Sequence, residues 1–254
     1  MINAISSPVS DTGQALTGTK KVISILKNDR GISQRTVQDS AGANGSNKVS
    51  MLASQLSEAS TRAQARDIRM TRTELASMAR NTFNELESPH YTANKSTHDA
   101  EVPDTDNAEL LARAKSATQY TRGAGNNPFS GMPVDQLALI TYDESGTFTV
   151  NERRAALEES ARQEFAWRQK VIAEAEHEYN TTGKSVKFFQ SILDHYKGLP
   201  LIEQSKHPEN YATKLQGWID LNFNHFTLMA EGKNKLDIEI FANKVLAGSS
   251  SLFG

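Results

Sequence analysis

The densest run of groups able to do chemistry lies between residues 141 and 152 and reads Thr-Tyr-Asp-Glu-Ser-Gly-Thr-Phe-Thr-Val-Asn-Glu. Asp143, Glu144 and Glu152 bring carboxylates, and Ser145 and the neighbouring threonines bring hydroxyls. Oxygen-rich segments of this kind suit hard cations. The same residues have a second explanation. Thr149-x-x-Glu152 has the spacing of a capping box, in which the threonine hydroxyl and the glutamate carboxylate satisfy each other's backbone N–H groups at a helix start. Gly146 suits a tight turn, and Phe148 suits a core.

Between two predicted helices, this stretch resembles an EF-hand calcium loop. Setting Gly146 at the sixth loop position puts Asp143 and Ser145 at the third and fifth. Thr147 then falls at the seventh, where a backbone carbonyl binds, Phe148 at the apolar eighth, and Glu152 at the twelfth, where a bidentate carboxylate closes the shell. The resemblance therefore implies Asp143, Ser145, Thr147 and Glu152 as metal ligands and Ca²⁺ as the cofactor. It covers twelve residues only. Position one, normally Asp, is Thr141, and the low carboxylate count implies weak binding. The conceivable mate, Glu231 to Asp237, has lysines where ligands belong.

Other candidates have simpler readings. Gly183-Lys184-Ser185 looks like the end of a phosphate loop, yet the first glycine of that motif would be residue 178, which is Glu178, and a helix rather than a strand precedes it. It reads as a helix stop followed by the N-cap Ser185. Glu174-x-x-His177 puts a carboxylate and an imidazole on one helix face, as in helical carboxylate-metal sites, but no second helix repeats the spacing. Phe188, Phe189, Trp218, Phe223 and Phe226 read as core rather than as a binding surface. No nucleophile elbow or zinc-protease helix motif occurs. An enzyme whose site is assembled from residues far apart in sequence stays open as an alternative.

The elements that must position these groups are helical. Leu52, Leu56, Ala59 and Ala63, then Leu75, Met78 and Phe83, recur at helical spacing over residues 51–87. Residues 88–106 read as linker, and Ala108 to Thr118 as a short helix. Pro133 suits the first turn of a helix running to Ile140. The capping box opens a long helix to about Tyr179, with Leu157, Ala161, Phe165, Ile172 and Tyr179 along its inner side. Arg154/Glu158 and Glu164/Arg168 pair along its solvent side. A further helix carries Val186, Phe189, Leu193 and Tyr196. Another starts near Pro208, and the last forms around Ile238 to Val245, with a strand at Leu236 to Ile240 as the alternative.

Of 18 aromatic residues, only Phe83, Tyr91 and Tyr120 lie within residues 1–125. Large aromatics dominate core energetics, so the core is expected C-terminal of about residue 126. The predicted organisation is a disordered arm over 1–50, with one short apolar patch from Val22 to Leu26. Sparse helices and linkers follow over 51–125, and a helical core domain over 126–250. The expected class is all-α, a compact helical domain preceded by a long, partly disordered arm.

Of the 254 residues, 37% are hydrophobic, mean hydropathy is -0.54, and the net charge is -2. Residues 1–130 carry 15 basic and 13 acidic groups, the remainder 13 and 17. Neither half offers the basic face that nucleic acid requires, so no nucleic-acid partner is expected. No run approaches the roughly 20 apolar residues of a membrane span. The absence of cysteine excludes disulfides and thiolate chemistry. Residues 1–20, rich in Ser, Thr and Gly, resemble in composition the leaders of bacterial type III secretion substrates. The expected location is cytoplasmic, or exported without a conventional signal peptide. The reading that follows is a non-enzymatic interaction protein with a protein partner, a calcium-binding helical module being the first alternative.

Overall fold

A computed structural model describes residues 50–221 and 235–248, and among them every regular element is a helix. The order is α1 (Met51–Arg69), α2 (Arg72–Glu87), α3 (Pro89–Ala93), α4 (Lys95–Ala100), α5 (Ala108–Thr121), α6 (Val134–Thr141), α7 (Val150–Thr182), α8 (Val186–Gly198), α9 (Leu201–Gln204), α10 (Tyr211–Asp220) and α11 (Lys235–Leu246). The all-α expectation holds for these residues, and the C-terminal segment is a helix rather than a strand. None of these helices is long and apolar enough to cross a membrane. The expected arm up to Val49, with its leader and its Val22–Leu26 patch, lies outside the described residues, as do Phe223, Phe226 and most of the 231–237 loop.

Local chemistry sets the boundaries. The single helix expected over 51–87 is two. Thr71 turns extended, accepts a hydrogen bond from Glu74 N, and receives the Glu74 carboxylate on its own backbone N–H. That capping box restarts the helix after a two-residue break. Ser88 and Pro89 open α3 inside the expected linker: Ser88 Oγ accepts from His90 N, and Pro89 sits where its missing N–H costs nothing. Asn107 caps α5 through Glu109 N and Leu110 N. Gly183, left-handed at φ 66°, ends α7.

α7 is the spine, 33 residues long and so roughly 50 Å. Its first half packs on α5 and α6, its second on α8 and α11. The first core joins Ala155 and Ala156 to Leu137, Ile140, Phe129 and Phe148, with Ala59 from α1 and Ala117 from α5. The second joins Val171, Ile172 and Ala175 to Phe188, Phe189, Leu193, Tyr196, Tyr211, Leu215 and the α11 residues Ala242 and Val245. A third cluster locks Leu75 and Ala79 of α2 against Ala138, Tyr142 and Ile202. Arg72 reinforces it, its Nη2 donating to the carbonyls of Gln204 at 2.5 Å and His207 at 2.6 Å.

Apolar packing therefore begins well before residue 126. The early helices contribute alanines and leucines, notably Ala59, Ala79, Ala114, Ala117 and Leu86, all buried. Small side chains let helix backbones approach closely, a contribution that the distribution of aromatics hides. Two of the expected inward aromatics face out: Phe83 is 55% and Phe165 64% exposed. Phe165 lies on the middle of α7, where no side chain between Glu159 and Val171 is buried. The two cores meet different faces of the spine, so one continuous inner stripe does not exist. Ser185 is buried but makes no cap. Glu178 caps α8 instead, accepting from Lys187 N at 3.0 Å and Phe188 N at 3.1 Å, which suits an anion at a helix N-terminus.

Candidate functional site

α6 ends at Thr141, the chain turns at Gly146 (φ 82°), Phe148 buries its ring in the first core, and α7 begins at Val150. This is the helix–loop–helix expected from the sequence. The residues assigned to one metal shell, however, divide into two groups around two arginines.

Asp143, Ser145 and Thr147 gather on Arg62 of α1. Arg62 Nε and Nη2 donate to the Asp143 carboxylate at 3.1 and 2.6 Å, and Nη2 reaches Thr147 Oγ1 at 3.2 Å. Ser145 N donates to Asp143 Oδ1 at 3.0 Å, and the Ser145 and Thr147 hydroxyls share a 2.7 Å hydrogen bond. Burial pushes the Asp143 carboxyl up, but the hydrogen bonds from Arg62 and Ser145 outweigh it and hold the group below its ordinary value.

Glu152 belongs to the second group and is fully buried, at 0% exposure. Its Oε2 accepts from Thr149 N at 2.9 Å and from Thr149 Oγ1 at 3.0 Å, completing the capping box. Its Oε1 accepts from Arg113 Nε at 2.6 Å. Arg113 lies against the rings of Phe148, 5.3 Å away, and Phe129, 6.0 Å away, and also donates to Gln55 Oε1 at 2.8 Å. Aromatic faces and a carboxylate together hold this guanidinium in the interior.

As arranged, the donor set does not fit calcium. Every carboxylate oxygen of Asp143 and Glu152 already accepts from a guanidinium or a backbone N–H, and a hard dication needs 6–8 oxygens turned to one centre. The cation of this loop is Arg62. Among the described residues no group of three or more Asp, Glu or His side chains could hold a metal ion. Sequence reasoning missed Arg62 and Arg113, which stand 81 and 39 residues from their carboxylates; no local pattern links such pairs.

The remaining candidates are placed as follows. Lys184 is exposed beyond the Gly183 stop. Glu174 pairs with Lys170 at 3.8 Å. Together with His177 they line a cleft of about 580 Å³ between α7 and α8. Among the described residues the tightest acid–imidazole pair is one the sequence did not suggest: His195 Nε2 lies 2.8 Å from Glu164 Oε2, and its ring stacks on Trp167 at 3.6 Å. Arg168 donates to the other Glu164 oxygen at 2.8 Å. Burial pushes Glu164 up, but the hydrogen bonds from His195 and Arg168 bring it down to about 2. This arrangement ties α8 to the exposed middle of α7.

Two further clefts flank α2, and Tyr142 lines both. The larger, about 610 Å³, runs between α1 and α2 and ends at residues 142–145. Ala59, Ala63, Met70, Met78 and Leu139 give it an apolar lining, and Arg62, Arg66 and Arg69 line it from α1. The smaller, about 360 Å³, lies on the other side of α2, against α7 and the turn after α9. Tyr142 itself is buried, and its hydroxyl donates to Glu203 Oε1 at 2.5 Å; burial and the Glu203 charge raise its pKa far above the ordinary value. Set against known proteins, the chain matches no family model, no curated protein and no solved structure.

Proposed function

We propose that the protein is a non-enzymatic interaction module and that the α1–α2 cleft receives an acidic segment of a protein partner with one apolar face. The observation that carries this reading is the cleft itself: three arginines at a spacing of four and three residues along α1, beside an apolar lining that includes two methionines. Residues so spaced share one helix face. Methionine adapts to varied apolar surfaces, and arginine forks hold carboxylates in two-pronged geometry. The chain's own acids support the charge preference. Arg62 holds Asp143, Arg66 holds Asp67 at 2.7 Å, and Arg69 has no carboxylate partner among the described residues.

The experiment is site-specific photocrosslinking in the source cell. A photoreactive residue at Ser77, inside the cleft, is compared with one at Glu174 on α7. The reading expects a discrete adduct from Ser77 only, lost when Met78→Glu and Arg69→Glu are added to a chain that keeps its melting midpoint. Identical adducts from both positions, or an adduct indifferent to those two substitutions, would overturn it.

A further inference from the structure

The smaller cleft beside α2 contains two buried hydroxyls with no partner. Thr82 and Thr141 are each 2% exposed, both line this cleft, and neither Oγ1 has a hydrogen-bond partner. A helical threonine or serine ordinarily donates to the carbonyl one turn back. Others in this chain do so: Thr61 to Ser57 O at 3.1 Å, Ser116 to Ala112 O at 2.9 Å, and Thr182 to Glu178 O at 2.7 Å. Those residues are not buried, and water could have served them. Three buried hydroxyls among the described residues are unpaired, those of Thr82, Thr141 and Ser185; only Thr82 and Thr141 lie within helices, and these two share one cavity. Buried polar groups in folded proteins are almost always satisfied, so a pair left open in one cavity points to something bound there.

The surroundings narrow the chemistry. Ala79, Leu157 and the Tyr142 ring form apolar walls, and the exposed ring of Phe83 lines the cavity too. Arg80 and Lys206 bring cations and are exposed. Lys206 already pairs with Glu203, whereas Arg80 has no partner among the described residues. A charge at the buried end would lose its hydration with only two neutral hydroxyls in return, which disfavours an anion there. The buried end therefore suits an uncharged group that can both donate and accept, and the exposed end suits a carboxylate on Arg80. A cavity of about 360 Å³ falls within the usual range for small-molecule sites.

We infer that this cleft is a binding site for a small amphipathic organic acid, with a hydroxyl or carbonyl on Thr82 and Thr141, an apolar body against Phe83, Leu157 and Ala79, and a carboxylate on Arg80. The site lies on the other side of α2 from the partner cleft, with Tyr142 the one lining residue in common, and the inference does not rest on that cleft's reading.

The test uses the full chain and three probes in calorimetric titration: 4-hydroxybenzoate, benzoate, which lacks the buried hydroxyl, and methyl 4-hydroxybenzoate, which lacks the charge. The expected result is saturable binding of 4-hydroxybenzoate, weakened at least about tenfold in Thr82→Val/Thr141→Val, the size of one lost hydrogen bond. The same double substitution should leave benzoate within about threefold and the ligand-free melting midpoint unchanged or higher, because removing an unpaired hydroxyl removes no interaction. Arg80→Gln, an exposed change that does not threaten the fold, should weaken both acids about tenfold and leave the ester unaffected. No saturable binding of any probe up to about 10 mM would overturn the assignment. So would acid binding indifferent to the threonine pair or to Arg80. A ligand-free midpoint that falls in the double variant would also overturn it, because the hydroxyls would then be satisfied by water held in the cavity.

Discussion

The two halves of α7 solve the same burial problem by different chemistry. The first half, from Asn151 to Glu159, buries four polar or charged side chains, Asn151, Glu152, Arg153 and Glu159, beside only two alanines. Asn151, Glu152 and Arg153 are bound to other helices, and Glu159 to Arg162 and Gln163 of α7 and the Gly131 amide in the loop before α6. Asn151 takes the Tyr91 hydroxyl at 2.7 Å and donates to Asp99 and Thr118. Arg153 grips Glu85 with two 3.0 Å bonds. The second half buries Val171, Ile172 and Ala175 under Phe188, Phe189 and Tyr196. The apolar half draws stability from area removed from water, a non-directional effect that tolerates substitution of similar volume. The polar half gains little net energy from each pair, but its geometry is exacting, and removing one member strands the other. It fixes which of the early helices sit where, and with them the clefts on either side of α2.

The largest expected effect tests that contrast directly. Glu152→Ala leaves the Arg113 guanidinium buried without its carboxylate and also removes the glutamate half of the α7 capping box, the Thr149 cap itself remaining; a loss of about 3–5 kcal/mol in denaturant unfolding is expected. Replacing both partners, Glu152→Leu with Arg113→Met, should recover at least half of that loss, because no charge is then left unpaired. A double variant as unstable as the single one would mean that the first core needs the ion pair itself. In the second core Leu193→Ala should cost about 3 kcal/mol through lost contact and the cavity left behind, whereas Leu193→Met should cost less than about 1.5 kcal/mol.

Acid should also separate the halves. His207 packs on Tyr196 and Tyr211, at 5.5 and 4.5 Å, and burial together with the nearby Lys206 and Arg168 charges lowers it to about 4. Its folded pKa is thus below its unfolded value of about 6.5. The native state favours neutral His207, so its contribution is complete above pH 6.5 and is lost as pH falls toward 4. Glu159, brought down to about 2 chiefly by Arg162 and also by Gln163 and the Gly131 amide, acts in a lower window. Its contribution is complete above its unfolded value and is lost between about pH 4.5 and 2. Urea midpoints measured across pH should show both phases, and His207→Gln should flatten only the upper one. An unchanged slope between pH 6.5 and 4 would rule His207 out as its source.

The smallest expected effect is none. Thermal melts in millimolar calcium and in EDTA should coincide, because Arg62 and Arg113 already occupy the carboxylates of the 141–152 loop. A calcium-dependent rise in the midpoint, abolished by Asp143→Asn, would show that a cation can displace Arg62 and bind the native state by mass action.

How far each feature was legible follows from the range of the forces behind it. The sequence alone determined the helices whose signals are local: the Thr149/Glu152 box, the Pro133 start, the Gly183 stop and the Phe189/Leu193/Tyr196 stripe each act within one or two turns. The Thr71/Glu74 box is equally local, but the apolar spacing over residues 51–87 runs straight through it. The loop at 141–152 was legible as a turn between helices. What its oxygens bind was decided by Arg62 and Arg113, brought in from α1 and α5 by packing that leaves no trace in local spacing. The same holds for Phe83 and Phe165. Their apolar character is written in the sequence, but whether water covers them depends on which neighbouring helix arrives, and only tertiary packing decides that.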